Sequence, residues 1–531
     1  MSERLPEEPL VVDMEASGRQ SGRYGGALHS LVTSVADTKL LVVYGYARLV
    51  GYGPDLELRP DILSDYSVEE GRIFTFKLRK GHRWSDGHPF TSEDFRYFWE
   101  DVALNPELSP GGPPADMRVN GELPKFEVLD SETVRYTWSA PNPRFLPRIS
   151  GAYPLLIYRP AHYLKNFHEE YAGPEDLASR TQAARVENWA ALHERRGNLY
   201  RLDNPDLPTL QPWVLRNRPP TERFHATRNP YFHRVDAGGK QLPYIDEIFL
   251  AVTSTTLIPA KASSGGSDLQ ARGLNFADIP LLRLSEESAG YRTLLWDQGI
   301  GTQLALYPNL NTNDPVWREL FRDVRFRRAL SMGIDRELIN QVLYFGLAVP
   351  SQNTVLPASG MFDPSFRERW AQYDPAAANA LLDELGLTGR DRQGTRLLPD
   401  GRPMHLIVET AGESDEQTDT LELIGFAWES LGIKTFVKPR QRDVVRGRIS
   451  SGETLMSVWT GLSKAVATPG TEPEELAPHH RFNPQWPKWG AYEQSDGNAG
   501  EATDLPEVRG LLDLLARWNL SVDRDERQAI W

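Results

Sequence analysis

Residues 71–100 read GRIFTFKLRKGHRWSDGHPFTSEDFRYFWE and contain the pattern of a strand followed by that of a helix. Phe74 and Phe76 fall on one side of an alternating run, which predicts a strand with one buried face. Thr91 is followed by Asp94 at the third position, which is the spacing of a capping box at the start of a helix. This stretch therefore predicts a strand, a turn and a capped helix in succession.

From about residue 320 onward the sequence shows a different pattern, in which predicted helices and strands alternate. Asp374 is a suitable N-cap, and Pro375 suits the first position of a helix. Residues 405–408 and 433–437 are predicted as strands, with an amphipathic helix pattern between them. The alternation predicts an α/β lobe in this half of the chain.

Length and charge narrow the possible classes of protein. A chain of 531 residues is long enough for two or three folding units. Its 59 Lys and Arg residues against 73 Asp and Glu residues give a net charge of −14, which argues against nucleic acid and anionic membranes as partners. The absence of cysteine excludes disulfides, thiolate metal sites and a lipid-carrying N-terminal Cys.

The two ends of the sequence predict that the natural protein extends beyond them. Near the N-terminus the apolar run at residues 10–12 is too short for the core of a signal peptide, so we expect any export signal to be missing from this sequence. The sequence stops at Trp531 inside a charged, apparently helical segment without a closing signal. We therefore expect the natural chain to be longer.

Motifs of catalysis are missing from the sequence. It contains no HExxH, GxSxG or Walker A pattern. His479 and His480 are adjacent, whereas two ligands on one helical face lie four residues apart, so we expect no metal site and no cofactor. No spacing singles out a pair of carboxylates, and an enzyme that cleaves carbohydrates or peptides remains an alternative of low weight.

Aromatic residues indicate a possible binding site more clearly than the catalytic or metal-binding motifs do. Trp486, Trp489 and Tyr492 occur around a Pro/Gly-rich stretch at residues 483–490 that is predicted as a loop. The core of a helix or strand would not account for aromatic rings in a loop. We therefore expect them to line a ligand cleft, although packing of the loop itself is an equally good explanation for each ring.

Residues 71–100 closely resemble the signature of the bacterial extracellular solute-binding proteins of family 5, the oligopeptide-binding group. Three later blocks resemble the same family in the same order: RNPYFHRVDAGGKQLPYIDEI at 228–248, SDLQARGLNFADIPLL at 267–282 and FRDVRFRRALSMGIDRELINQVLYFGLAVP at 321–350. The resemblance covers most of the chain. It implies a substrate-binding component of an ABC importer that catalyses nothing.

The family's fold is α/β, the two-lobed periplasmic-binding-protein fold of type II, cluster C, with an extra subdomain in lobe I. The resemblance implies lobe I at 20–58 and 200–308, the inserted subdomain at 59–199, lobe II at 309–510, and the start of a return to lobe I at 511–531. Because the rest of that return lies beyond the sequence, we expect an exposed sheet edge in lobe I.

The family's mechanism is capture of a ligand by hinge closure, followed by recognition of the closed form by membrane permease subunits. The implied ligand is an oligopeptide, with an oligosaccharide such as a galactoside as the alternative. The implied setting is a periplasmic monomer. Position in the family pattern predicts these ligand-contacting residues: Tyr44 and Tyr46 in lobe I, Asn309 and Asn311 near the crossover, and Trp459, Trp486, Trp489 and Tyr492 in lobe II.

Some domains related to this family are fused to a helix-turn-helix and act as regulators that respond to sugar phosphates. That reading is disfavoured here because the chain is acidic and shows no such N-terminal domain.

Overall fold

The alternating run at residues 73–78 is a strand in the computed structural model, which describes residues 4–15, 18–201 and 203–531. The chain divides into two compact units, the first ending at Leu294 and the second beginning at Leu295. Every helix in the described ranges is too short or too polar to cross a lipid bilayer.

An antiparallel sheet in the first unit carries an aromatic core. Its strands, in spatial order, are Leu63–Glu69, Ile73–Leu78, Thr133–Thr137 and Lys125–Asp130. Phe145 packs against Phe76 and Trp138, with ring centroids 5.7 and 4.8 Å apart. Thr91 and Asp94 form the predicted capping box at the start of the next helix. The pattern of residues 71–100 therefore predicted this region correctly.

A mixed sheet forms the second layer of the first unit. Its strands, in spatial order, are Ala27–Val32, Glu247–Val252, Arg223–Arg228 and Trp213–Leu215. Two smaller pairs join Leu10–Val12 to Arg234–Asp236 in parallel, and Val50–Tyr52 to Leu58–Pro60 in antiparallel.

The outer edge of the mixed sheet is only partly open. The side-chain amide of Gln270 accepts a hydrogen bond from Leu31 N at 2.9 Å and donates one to Leu31 O at 3.0 Å. Asp268 binds the neighbouring His29 N at 2.7 Å. The expectation of a bare edge is therefore wrong for this strand, because side chains of residues 268–270 satisfy its backbone groups.

The second unit is built on a sheet in the order Ala305–Pro308, Met456–Trp459, His405–Thr410 and Lys434–Pro439. The last two strands are parallel and are joined through the helix Asp415–Glu429, and the helix Arg442–Ser451 leads back to the strand Met456–Trp459. The predicted α/β alternation is therefore present.

Helices complete both units. In the first they are Leu40–Gly45, Ser92–Arg96, the π-helical Tyr97–Ala103, Phe145–Ser150, Ala161–Leu164, Pro174–Ala184, Trp189–Gly197, Ile258–Ser263 and Ile279–Ala289. In the second they are Pro315–Arg322, Val324–Met332, Arg336–Leu343, Pro364–Glu368, Pro375–Glu384, Asp415–Glu429, Arg442–Ser451, Pro487–Gln494, Pro506–Leu520 and Arg524–Ile530. Short 3₁₀ turns occupy Val35–Lys39, Ala115–Met117, Lys165–Phe167, Thr255–Leu257, Phe276–Asp278 and Glu474–Leu476.

Two of the expected domain limits differ from the structure. The strand Ala305–Pro308 pairs with Met456–Trp459, so it belongs to the second unit and not to lobe I as the boundary at residue 308 implied. The segment 511–531 also lies in the second unit: the indole N–H groups of Trp518 and Trp531 donate to the carbonyls of residues 469 and 471.

Candidate ligand-binding site

Tyr44 and Tyr46 lie where the helix Leu40–Gly45 ends. Tyr46 adopts a left-handed conformation with φ of 44°, which stops the helix. The Tyr46 hydroxyl donates to Ser150 O at 2.8 Å, and the Arg48 guanidinium lies 4.9 Å from its ring centroid. Tyr44 has 59% of its surface exposed. Tyr44 is thus available to a ligand, whereas Tyr46 is fixed to its own unit by its hydroxyl and its ring.

Arg48 is a buried cation whose hydrogen bonds go to backbone carbonyls. Its Nε and Nη2 donate to Gly151 O and Ala152 O, each at 2.8 Å, and its Nη1 donates to Ala47 O at 3.0 Å. Burial lowers the pKa of Arg48. These bonds tie the Tyr46 turn to the segment 150–152.

A buried ion cluster of Asp61, His233 and Arg234 also holds the turn at Tyr46 in place. The Asp61 carboxylate accepts from His233 Nε2 at 2.7 Å and from Arg234 Nε and Nη2 at 2.9 and 2.6 Å. Arg234 Nη2 also donates to Tyr46 O at 2.6 Å. Burial on its own would raise the pKa of Asp61, but the charges and hydrogen bonds of Arg234 and His233 outweigh it and hold that pKa well below its usual range.

In the second unit the candidate surface lies at the carboxyl ends of the parallel strands, where α/β sheets commonly bind ligands. Trp459 ends its strand and is half-buried. The guanidinium groups of Arg442 and Arg446 lie 5.1 and 5.7 Å from its ring centroid. Arg442 Nε also donates to Glu413 Oε1 at 2.9 Å, whereas within the described residues Arg446 has no carboxylate or carbonyl at hydrogen-bond distance. The sequence pattern named Trp459 as a candidate and did not name either arginine.

Glu409 lies one layer deeper at the same strand ends and is buried. Its carboxylate accepts from Arg448 Nη2 at 2.9 Å and from Thr454 Oγ1 at 3.0 Å. Because its bonds are made within the unit, Glu409 supports the strand ends and is not exposed to a ligand.

Asn309 and Asn311 are buried structural residues in the second unit. Asn309 Nδ2 donates to the carbonyls of Ile449 and Thr454 at 3.3 and 3.2 Å. Asn311 Oδ1 accepts from Lys488 N at 3.0 Å and from the amide of residue 489 at 3.2 Å, so it caps the helix Pro487–Gln494 from a distant part of the chain. The second unit satisfies the Asn309 amide and the Asn311 Oδ1, whereas within the described residues the buried Asn311 Nδ2 has no hydrogen-bond partner.

The prediction of a loop holds for residues 483–486 but is wrong for residues 487–490. Pro487 occupies the first turn of the helix Pro487–Gln494, and Trp486 and Trp489 pack with Leu310 and Val508 in a small core. Trp489 is only 1% exposed. Asn311 caps this helix from a distant part of the chain, so a helix forms where the Pro/Gly content predicted a loop. The two indoles therefore pack in a core and do not stand in an open loop. Tyr492 lies on the same helix and is half-buried.

One group of side chains in the described part of the chain could hold a metal ion. Ligand atoms of Glu472, Glu474 and His479 all lie within 4.8 Å of one another. His480 is not part of this group, so the adjacent histidine pair does not act as a pair.

Comparison with known proteins decides the family. A family model described as bacterial extracellular solute-binding proteins, family 5 Middle, matches residues 57–471. The chain belongs to this family. The expectation of a binding protein of the kind that serves ABC importers, and not of an enzyme, is thereby confirmed. Proteins of this family are extracellular or periplasmic in bacteria.

Individual relatives differ in what they are described to bind. A solved structure of an oligopeptide-binding protein OppA has 31% identity and a TM-score of 0.79, covering 99% of this chain and 84% of that one. A periplasmic alpha-galactoside-binding protein of Rhizobium meliloti is 24% identical over 99% of this chain and 76% of its own length. The stachyose complex of MelB from Agrobacterium fabrum has 21% identity and a TM-score of 0.68, covering 99% and 80% of the two chains. These likenesses confirm the α/β fold of type II periplasmic-binding proteins.

Proposed function

We propose that this family 5 protein captures oligopeptides by hinge closure and delivers them to the permease subunits of an ABC importer. The observation that carries the choice of ligand is the 31% identity to an oligopeptide-binding protein over 99% of the chain. We further propose that it works as a monomer in the periplasm.

The side chains of the second unit support a peptide ligand over a sugar. Oligosaccharide sites depend on exposed aromatic faces for stacking. Trp486 and Trp489 are buried in a core, so they offer no such face.

Chemistry at the strand ends suits a peptide with a free terminus. The Arg446 guanidinium can form a bidentate pair with a carboxylate, while the adjacent indole of Trp459 offers apolar area to a side chain. Tyr44 offers a similar surface on the first unit. We therefore propose Tyr44, Trp459 and Arg446 as ligand contacts, and we keep the half-buried Tyr46 and Tyr492 as further candidates.

An oligosaccharide is the second candidate, favoured by the alpha-galactoside-binding relative from Rhizobium meliloti, which matches 99% of the chain. A thermal-shift screen against di- to decapeptides and against galactosides separates the two. A ligand at a hundredfold its dissociation constant adds about 2.7 kcal/mol of stability. Peptides are expected to raise the unfolding midpoint, whereas a rise with galactosides alone would overturn the peptide assignment.

A further inference from the structure

A three-residue cluster in the loop after the strand Met456–Trp459 has the composition of a metal site. Glu472, Glu474 and His479 supply two carboxylates and an imidazole, with ligand atoms that all lie within 4.8 Å of one another. All three side chains are partly buried. We propose that they bind a divalent transition-metal ion of the Zn²⁺ type.

The orientation of His479 favours metal binding. Its Nδ1 lies 3.0 Å from Glu474 O, a carbonyl that can only accept, so Nδ1 donates to the backbone and Nε2 is the ring nitrogen on the side of the carboxylates. Metal-bound histidines are commonly fixed in this way through their second nitrogen. Nε2 lies 3.8 Å from Glu474 Oε2, so the second ring nitrogen and a carboxylate oxygen are close enough to share one ion.

The two oxygens of Glu474 have separate partners. Lys464 Nζ forms an ion pair with Oε1, while Oε2 is the oxygen nearest to His479 Nε2. A metal ion can therefore bind Oε2 without displacing the lysine. Donor atoms around a tetrahedral Zn²⁺ are about 3.3 Å apart, given bond lengths of about 2.0–2.2 Å. The three ligand atoms, all within 4.8 Å of one another, must approach by at most about 1.5 Å to reach that spacing.

The donor set limits the type of metal. Two carboxylates and an imidazole, without a thiolate, suit Zn²⁺, Ni²⁺, Co²⁺ or Mn²⁺. Three protein ligands leave a coordination position for water. Binding also reduces the repulsion between two partly buried carboxylates.

The surrounding loop is held in place by contacts from several directions. Trp531 Nε1 donates to Thr471 O at 2.7 Å, directly before Glu472. Ser463 N donates to Glu475 Oε2 at 2.9 Å, which joins the two sides of the loop. A bound ion would tie residues 472–479 together beside the strand that carries Trp459, and this stabilisation does not depend on which solute the protein binds.

Isothermal titration of the full chain with Zn²⁺, after removal of metals by dialysis against a chelator, tests the proposal. We expect one saturable site per chain. H479Q and E472Q should each weaken Zn²⁺ binding by more than about tenfold, because each removes a ligand. H480Q is the matched control, since it removes the neighbouring imidazole but leaves the three ligands, and it should bind Zn²⁺ as the unmodified chain does.

Two results would overturn the metal site: titration without a saturable site, or equal weakening by H479Q and H480Q. Circular dichroism of each variant checks that it is folded, and E472Q provides a second test if H479Q is not. Because peptide binding is measured separately in chelator, loss of the metal site and loss of the proposed solute-binding function are distinguishable.

Discussion

Replacing Asp61 by Asn should strongly destabilise the first unit. The substitution keeps the shape but puts an NH₂ group where one carboxylate oxygen accepts from Arg234, His233 or Arg48 N. Removing one partner of a buried ion pair costs about 3–5 kcal/mol. With an unfolding entropy of about 2.1 cal/mol/K per residue for a unit that ends at Leu294, this loss lowers the unfolding midpoint by roughly 5–8 °C.

Differential scanning calorimetry of D61N against the unmodified chain measures this loss. D55N is the matched control, since the ion pair of Asp55 with Arg59 is exposed on the same unit. The folded pKa of Asp61 lies below its unfolded value, so its stabilisation is complete above about pH 5 and decreases as the pH falls below about 4. The gap between D61N and the unmodified chain should therefore narrow in acid. Equal midpoints for D61N and D55N at pH 7 would show that the buried ion cluster around Asp61 adds no more stability than an exposed ion pair.

Three further outcomes are expected. Burial lowers the pKa of His193 to about 3, so on acidification the unfolded chain takes up a proton at this residue before the folded chain does. Lowering the pH from 7 to 5 should therefore reduce the free energy of unfolding by about 2 kcal/mol, and H193Q should not show this reduction. Urea titrations of both proteins at the two pH values measure the difference. Trp489→Ala should lower the free energy of unfolding by about 3–5 kcal/mol because it empties a core, whereas Trp459→Ala should chiefly weaken peptide binding; equal stability losses would contradict this difference. Arg446→Gln should weaken binding of peptides with a free carboxyl terminus but not of amidated ones, and equal weakening of both would remove its proposed role.

Local chemistry made much of the fold predictable. The capping box at Thr91 and Asp94 and the helix start at Asp374 and Pro375 need only neighbouring residues, and both are present. The strands at 405–408 and 433–437 were found because each is a short apolar run beside a helix pattern.

The candidate site was less predictable because it depends on contacts distant in sequence. Asn311 caps a helix that begins at Pro487, and no local pattern reveals such a cap. Arg446 reaches Trp459 only after the chain has passed through a helix and returned to the sheet. The alternation of strands and helices in the sequence predicts that the helix Arg442–Ser451 lies close to the strand that ends at Trp459. It does not predict which side chains are in contact.

Whether the protein binds an oligopeptide or an oligosaccharide is measured most directly by calorimetric titration. The unmodified chain would be titrated with a peptide series and, in parallel, with stachyose and smaller galactosides. We expect saturable binding of a peptide at one site per chain, with a negative heat-capacity change from buried apolar surface. Saturable binding of a galactoside, with no heat from any peptide, would contradict this expectation.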